Sequence, residues 1–311
     1  MACSPALKSV PSTQACVDQV AALIQSRRLL QPQVAIVLGS GLGGLADELQ
    51  HVTAIQYAEL PYFQATHAAG HAGRLLLGYL GGVPVVVMQG RYHRYEGHDD
   101  WTVTFPVRVM QALGAGMLLV TNAAGGLNPR YRPGDLMLID QHIDHLWTRP
   151  QACRGASAIP CTESTERPGS AADCVSPHAE IAPAAIPLRK AEIYDHALGE
   201  RLKHIALTQQ LHLQRGTYVA TLGPTYETRA EYRMFRTMGG DAVGMSTVPE
   251  VLTARSLGMR VLALSVITNV ACTDTSNGTS HDEVVACGKQ VGPRLKKLFT
   301  ALLEQMSGPA D

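Results

Sequence analysis

Short, unbroken apolar runs recur along this chain, and each stops at a glycine-rich or polar segment. Val34–Leu38 breaks into Gly39-Ser40-Gly41-Leu42-Gly43-Gly44, and Met117–Thr121 into Asn122-Ala123-Ala124-Gly125-Gly126. Tyr218–Leu222 gives way to Gly223-Pro224-Thr225-Tyr226-Glu227. Continuous rather than alternating apolar runs mark strands covered on both faces. Leu136–Ile139, Ala242-Val243 and Arg260–Thr268 read as further strands, while Arg74–Leu80 and Val83–Met88 flank Gly81-Gly82 as a hairpin. Helical spacing runs over residues 15–30, 229–238, 248–258 and 281–305. Strands interleaved with helices imply an α/β fold: a single doubly wound domain over residues 1–311, with a mixed, largely parallel central sheet flanked by helices. Residues 148–187, rich in Pro, Ala, Ser and Cys, read as a surface insertion in that domain.

Charge and hydropathy narrow the function class. Lys+Arg and Asp+Glu both number 26, so no global basic excess exists to neutralise nucleic-acid phosphates. Apolar runs such as Val261–Ile267 are far too short to span a bilayer. The opening MACSPALKSVPS lacks the charged start and apolar core of a secretory signal, and the seven cysteines form no C-x-x-C pair. Reduced thiols in a cytoplasmic protein are the expectation. Cys153, Cys161 and Cys174 with His178 fit no familiar zinc spacing, so no metal site is expected there.

In open α/β sheets, ligands bind beyond the carboxyl ends of the strands, where the glycine-rich and polar segments fall. Gly39-x-Gly41-x-x-Gly44 satisfies a dinucleotide fingerprint, with Glu59 about twenty residues on as a candidate ribose-binding acid. Ser40 inside the loop suggests instead an anion held by backbone N–H groups and one hydroxyl. Arg91 and His93 share a face if the preceding strand continues to them, which would make an oxyanion clamp. Thr228-x-x-Glu231, Thr247-x-x-Glu250 and Ser280-x-x-Glu283 all read as capping boxes. They set Tyr226, Glu227, Met245, Ser246 and His281 at or beside helix N-termini, where the macrodipole favours anions. Capping does not account for Glu227 after Gly-Pro-Thr-Tyr, or for Asn269 after an apolar strand.

Assembled in order, GSGLGG, HAGR, QGRYHRYEG, FPVRVMQALG, TNAAGGLNP, GTYVATLGPTYET, DAVGMSTVPE and ITN followed by SHDEV closely resemble the trimeric purine nucleoside phosphorylases of the inosine/guanosine type. The resemblance covers nearly all of the chain outside residues 148–187. It implies phosphorolysis of a purine nucleoside to free base and pentose 1-phosphate by a homotrimer. Phosphate would be a co-substrate, and neither cofactor nor metal is implied. Residue by residue, it assigns phosphate binding to Ser40, His71, Arg91, His93, the Ala123 backbone and Ser246. Tyr95 and Met245 would meet the ribose and His281 its 5′-hydroxyl. Glu227 and Asn269 would hold the purine, in a slot lined by Ala124, Gly125, Tyr226, Val243 and Gly244. Tyr226 stands where the family often has phenylalanine. A neighbouring-subunit aromatic that often covers the sugar has no placeable counterpart near Ile186.

Two other readings compete. Methylthioadenosine phosphorylase shares the expected fold and reaction, but its 6-amino purine wants an aspartate at the position of Asn269 and a smaller, apolar environment near His281. A dinucleotide-dependent oxidoreductase rests on Gly39–Gly44 and Glu59 alone. Thr273–Ser280, between Asn269 and His281, has the composition of a gate that orders over ligand.

Overall fold

A computed structural model of the chain describes residues 12–66, 72–146, 192–270 and 280–307. The insertion at 148–187, the zinc candidates Cys153, Cys161, Cys174 and His178, His71, and the gate apart from Ser280 all lie outside these residues.

Nine strands make one sheet, in the order β2 (Gln50–Gln56), β3 (Arg74–Leu80), β4 (Val83–Gln89), β1 (Val34–Leu38), β5 (Met117–Gly126), β8 (Ala242–Gly244), β7 (Leu213–Ala220), β6 (Leu136–Asp144), β9 (Arg260–Val270). β9 also pairs with β5, so β5, β9, β6, β7 and β8 close into a ring while β2, β3, β4 and β1 remain an open wing. The mixed sheet is as the sequence implies. Its closure was not legible there, because it depends on β5 having two neighbours on one edge.

The central strands are buried throughout, and alternate side chains face two different core layers. Ala35, Val37, Leu118 and Val120 face one core layer, against α1 (Thr13–Arg27), α2 (Asp100–Ala112) and α5 (Val248–Ser256). Val34, Ile36, Met117 and Leu119 face the other, against α3 (His196–Thr208) and α6 (His281–Ser307). Both faces are covered, which is why the sequence shows unbroken rather than alternating hydrophobicity. α4 (Arg229–Thr237) lies over the ring, with Phe235 inserted against Leu127, Val219 and Val243.

Local signals set most boundaries. Ser12, Asp99 and Asp195 cap α1, α2 and α3 by accepting the N–H groups of Ala15, Thr102 and Leu198. Gly81 and Gly82 both have positive φ (56° and 77°), the two-residue turn whose twist suits a hairpin. Among the described residues, no helix is long and apolar enough to cross a membrane.

The Gly39–Gly44 loop owes its glycines to close packing. A Cβ on Gly39 would sit 2.8 Å from the Cα of Asn122 on β5. On Gly41, where φ is 76°, it would sit 2.6 Å from the Val285 carbonyl of α6, and on Gly288 it would meet the Ser40 carbonyl at 2.8 Å. Ser40 is thus wedged between β5 and α6. Gly41→Ala is expected to destabilise the fold by roughly 1–3 kcal/mol through backbone strain and overpacking. Gly44→Ala, whose added Cβ would meet nothing within 4 Å, is expected to be nearly neutral. Thermal melts of both variants check this, and equal losses would contradict it.

Candidate active site

β1, β4 and β5 run parallel and end on the same side of the sheet, where a pocket opens. Ser40 reaches it from beyond β1, and Arg91, His93 and Tyr95 from beyond β4. Ala123, Ala124 and Gly125 line it from β5, Tyr226 and Glu227 from the segment after β7, and Val243, Gly244, Met245 and Ser246 from β8 and its exit. Asn269 on β9 and His281 at the start of α6 complete it. Every residue that the phosphorylase resemblance assigns to the site lines this one pocket except His71, which lies outside the described residues. Asn122, Tyr232, Thr268 and Val284 also line it and had no signal of their own in the sequence.

Arg91 anchors one cluster. It is 1% exposed, and its Nη1 donates to Ser246 Oγ at 2.8 Å and to Thr247 Oγ1 at 3.0 Å. Its Nε stands 3.4 Å from Oε1 of Glu250, itself 3% exposed. A buried guanidinium without a carboxylate partner would be strongly destabilising, so Glu250 is what allows Arg91 to sit here. That pairing corrects the capping-box reading of Thr247-x-x-Glu250: Thr247 makes no side-chain cap bond, and its φ of 80° turns its hydroxyl toward Arg91. The other two boxes form as read, at Thr228/Glu231 and Ser280/Glu283.

Arg91 and His93 are not on an extended β4, which ends at Gln89 before Gly90 turns the chain. They reach the pocket from the loop. Glu96 fixes the imidazole: its Oε1 lies 2.8 Å from His93 Nδ1 and accepts the His93 backbone N–H at 3.0 Å. Facing a carboxylate, Nδ1 is the protonated ring nitrogen. Tyr95 stacks on the ring with centroids 4.7 Å apart and planes 18° from parallel. Burial pushes the Tyr95 hydroxyl up to about 12, so it stays a neutral donor at ordinary pH.

A second cluster lies around the end of the ring. Glu227 Oε1 accepts from Thr221 Oγ1 at 2.9 Å, and burial raises its carboxyl above the usual range, only partly opposed by hydrogen bonds from its own backbone and from Thr221. Asn269 Oδ1 accepts from Thr268 Oγ1 at 3.1 Å. The β5–β9 register slips between Ala124 and Gly125, from Ile267 opposite Ala124 to Asn269 opposite Gly125. Thr268 is the extra residue of a bulge, a device that re-aims the side chain after it. A Cβ on Gly125 would lie 3.5–3.6 Å from Val243 and the Asn269 amide, so these three positions form a thin wall.

Glu59 has no part in the pocket. It pairs with Arg27 and accepts the Gln56 N–H at the surface, which leaves the dinucleotide fingerprint without its acid. Among the described residues, no three His, Cys, Asp or Glu side chains gather as a metal site.

Residues 33–304 match the sequence model of the Phosphorylase superfamily. The purine nucleoside phosphorylase 1 of Geobacillus stearothermophilus is 41% identical over 291 residues, covering 94% of this chain and 97% of that protein. The Bos taurus purine nucleoside phosphorylase is 42% identical over 277 residues, covering 88% and 89%. Among solved structures, the Schistosoma mansoni purine nucleoside phosphorylase in complex with adenosine superimposes with a TM-score of 0.76 at 35% identity, over 95% of this chain and 98% of that one. With matches of this extent, the chain belongs to the purine nucleoside phosphorylases of the phosphorylase superfamily.

Proposed function

We propose that this chain catalyses phosphate-dependent cleavage of the N-glycosidic bond of inosine, guanosine and their 2′-deoxy forms, giving free purine and (deoxy)ribose 1-phosphate. The observation that carries this reading is the meeting, in one pocket, of an Arg91–His93–Ser246 cluster with a Glu227–Asn269 pair. Inorganic phosphate is the co-substrate, bound by Ser40, His71, Arg91, His93, the Ala123 backbone and Ser246. Tyr95, Met245 and His281 take the sugar, and Tyr226, Val243 and Gly244 line the base slot with Ala124 and Gly125. A homotrimer in the cytoplasm is the assembly and compartment that the family likeness favours. A monomeric mass by light scattering at working concentration would refute the trimer.

Breaking the bond between N9 and C1′ leaves positive charge on the sugar and negative charge on the departing purine. Phosphate faces the developing cation and attacks C1′, held in line by the guanidinium, imidazole and hydroxyls, so this cluster supplies orientation rather than a covalent intermediate. Asn269 hydrogen-bonds N7 and O6, where leaving-group charge grows. The Glu227 carboxylate accepts N1–H, and in guanine also the 2-amino hydrogens. An adenine would turn a lone pair toward that carboxylate, and a buried mismatch of this kind costs about 1–3 kcal/mol. The same polarity weighs against a methylthioadenosine substrate.

The decisive assay follows inosine absorbance with and without phosphate; phosphate-independent turnover would mean a hydrolase. Asn269→Asp is expected to weaken inosine phosphorolysis and to gain relatively on adenosine, shifting the kcat/KM ratio by roughly tenfold or more. An unchanged ratio would show that Asn269 does not read the base.

Acid is expected to inactivate through Glu227. Its raised carboxyl must be ionised to accept N1–H, so kcat/KM for inosine at saturating phosphate should fall as pH drops through a midpoint above that of an ordinary glutamate. Glu227→Gln, which cannot titrate, should be slower and lack that limb. Superimposable pH profiles would assign the limb elsewhere.

A further inference from the structure

Thr247 is 0% exposed, yet it holds a β-branched side chain at φ 80° and ψ −51°, a conformation such residues avoid. Strain of this kind persists where the surroundings demand a particular side-chain placement. Here the Thr247 oxygen sits among three polar groups. It accepts from Arg91 Nη1 at 3.0 Å and from Asn122 Nδ2 at 2.9 Å, and lies 3.2 Å from Ser246 Oγ.

A hydroxyl oxygen has two acceptor positions and one proton. Guanidinium and amide nitrogens only donate, so Arg91 and Asn122 fill both acceptor positions of Thr247. Its proton then goes to Ser246 Oγ. That oxygen already accepts from Arg91 Nη1 at 2.8 Å, so its own acceptor positions are filled as well. The one bonding direction left to Ser246 is its proton, and Ser246 lines the pocket.

We propose that Thr247 is a positioning residue: with Asn122 and Arg91 it forms a proton-ordering relay that makes Ser246 an obligatory donor toward the bound phosphate. The inference rests on the reading of Ser246 as a phosphate ligand. Without the Thr247 proton, an acceptor position on Ser246 Oγ falls vacant, and its hydroxyl is free to rotate and present a lone pair to the anion. With it, the hydroxyl is ordered before phosphate arrives, and an oxygen that only accepts is preferred over a protonated one. The backbone of Ser246 is held independently, since its carbonyl accepts from the Tyr218 hydroxyl at 3.3 Å and its N–H donates to that oxygen at 3.4 Å.

Thr247→Val keeps the branched shape and removes the hydroxyl; Thr247→Ser keeps the hydroxyl and loses a methyl. Steady-state kinetics would vary phosphate and inosine separately, with calorimetric titration of inorganic phosphate into each protein. Thr247→Val is expected to raise the phosphate KM and Kd roughly threefold to tenfold, the cost of ordering a hydroxyl that the wild type holds ready, with the inosine KM within about twofold. Thr247→Ser should restore phosphate binding to within about twofold of wild type. A residue that merely supports the fold would instead lower the melting temperature and disturb both KM values alike. Phosphate binding unchanged in Thr247→Val, or no rescue by serine, overturns the proposal. If Thr247→Val does not fold, Asn122→Leu frees one acceptor position on Thr247 for Ser246; it should raise the phosphate KM several-fold and spare that for inosine, and an unchanged phosphate KM counts against the relay. Ser246→Ala separates the two levels: if it leaves phosphate binding intact, the phosphate reading of the pocket fails, whereas its loss beside a wild-type Thr247→Val sinks the relay alone.

Discussion

Strand β5 uses one of its edges twice. Met117–Val120 pair with β1 and Gly125–Gly126 with β8, while the opposite edge follows β9 along its whole length. Between those two stretches, Thr121–Ala124 pair with no strand on the first edge among the described residues, so a cleft lined by backbone is forced by topology. Backbone polar groups in such a gap must find partners other than a ladder. Part of that need is met by Thr121, whose hydroxyl accepts the Gly39 N–H and donates to the Val37 carbonyl. The Gly39–Gly44 loop is thereby tied to the strand that opens the cleft.

The two halves of the pocket belong to different parts of the sheet. Ser40, Arg91 and His93 come from the open wing, Glu227 and Asn269 from the closed ring, and Met245, Ser246 and Thr247 cross from one to the other. Asp241 braces the crossing. Its carboxylate accepts from Asn128 Nδ2 and the Thr217 N–H, while its carbonyl accepts the N–H groups of Leu127 and Asn128. One residue therefore joins the end of β5 to β7 and β8.

Much of this was legible in the sequence, because glycines and polar residues interrupting apolar runs announce strand ends directly. Val34–Leu38 and the Gly81-Gly82 hairpin appear as read, and the candidate residues at strand ends converge. Extents were harder. β5 continues through Asn122–Gly126, since polar residues lining a cleft can stay in a ladder, and β7 spans Leu213–Ala220 rather than 218–222 because its first residues are only half-buried. β2, mostly exposed, has little apolar signal to find. Local rules failed at Thr247-x-x-Glu250, where a tertiary partner, Arg91, captured both side chains. The Thr268 bulge was equally hidden, being a property of two strands and visible in neither alone. The pairing of Glu96 with His93 and of Glu250 with Arg91 was not legible, because each pair joins side chains that only the folded chain brings face to face.

Glu250 beneath Arg91 also bears on how the reaction ends. In the proposed chemistry, the anion that enters as inorganic phosphate leaves as part of a sugar ester, so the same cluster grips reactant and product. A guanidinium with no counter-charge would hold both strongly, and tight uniform binding does nothing for the chemical step while it retards departure. A carboxylate 3.4 Å behind Arg91 takes up part of its field without removing its hydrogen-bond donors. Direction is preserved and grip is moderated, which is what a catalyst needs if it must let go of the group it has just transferred.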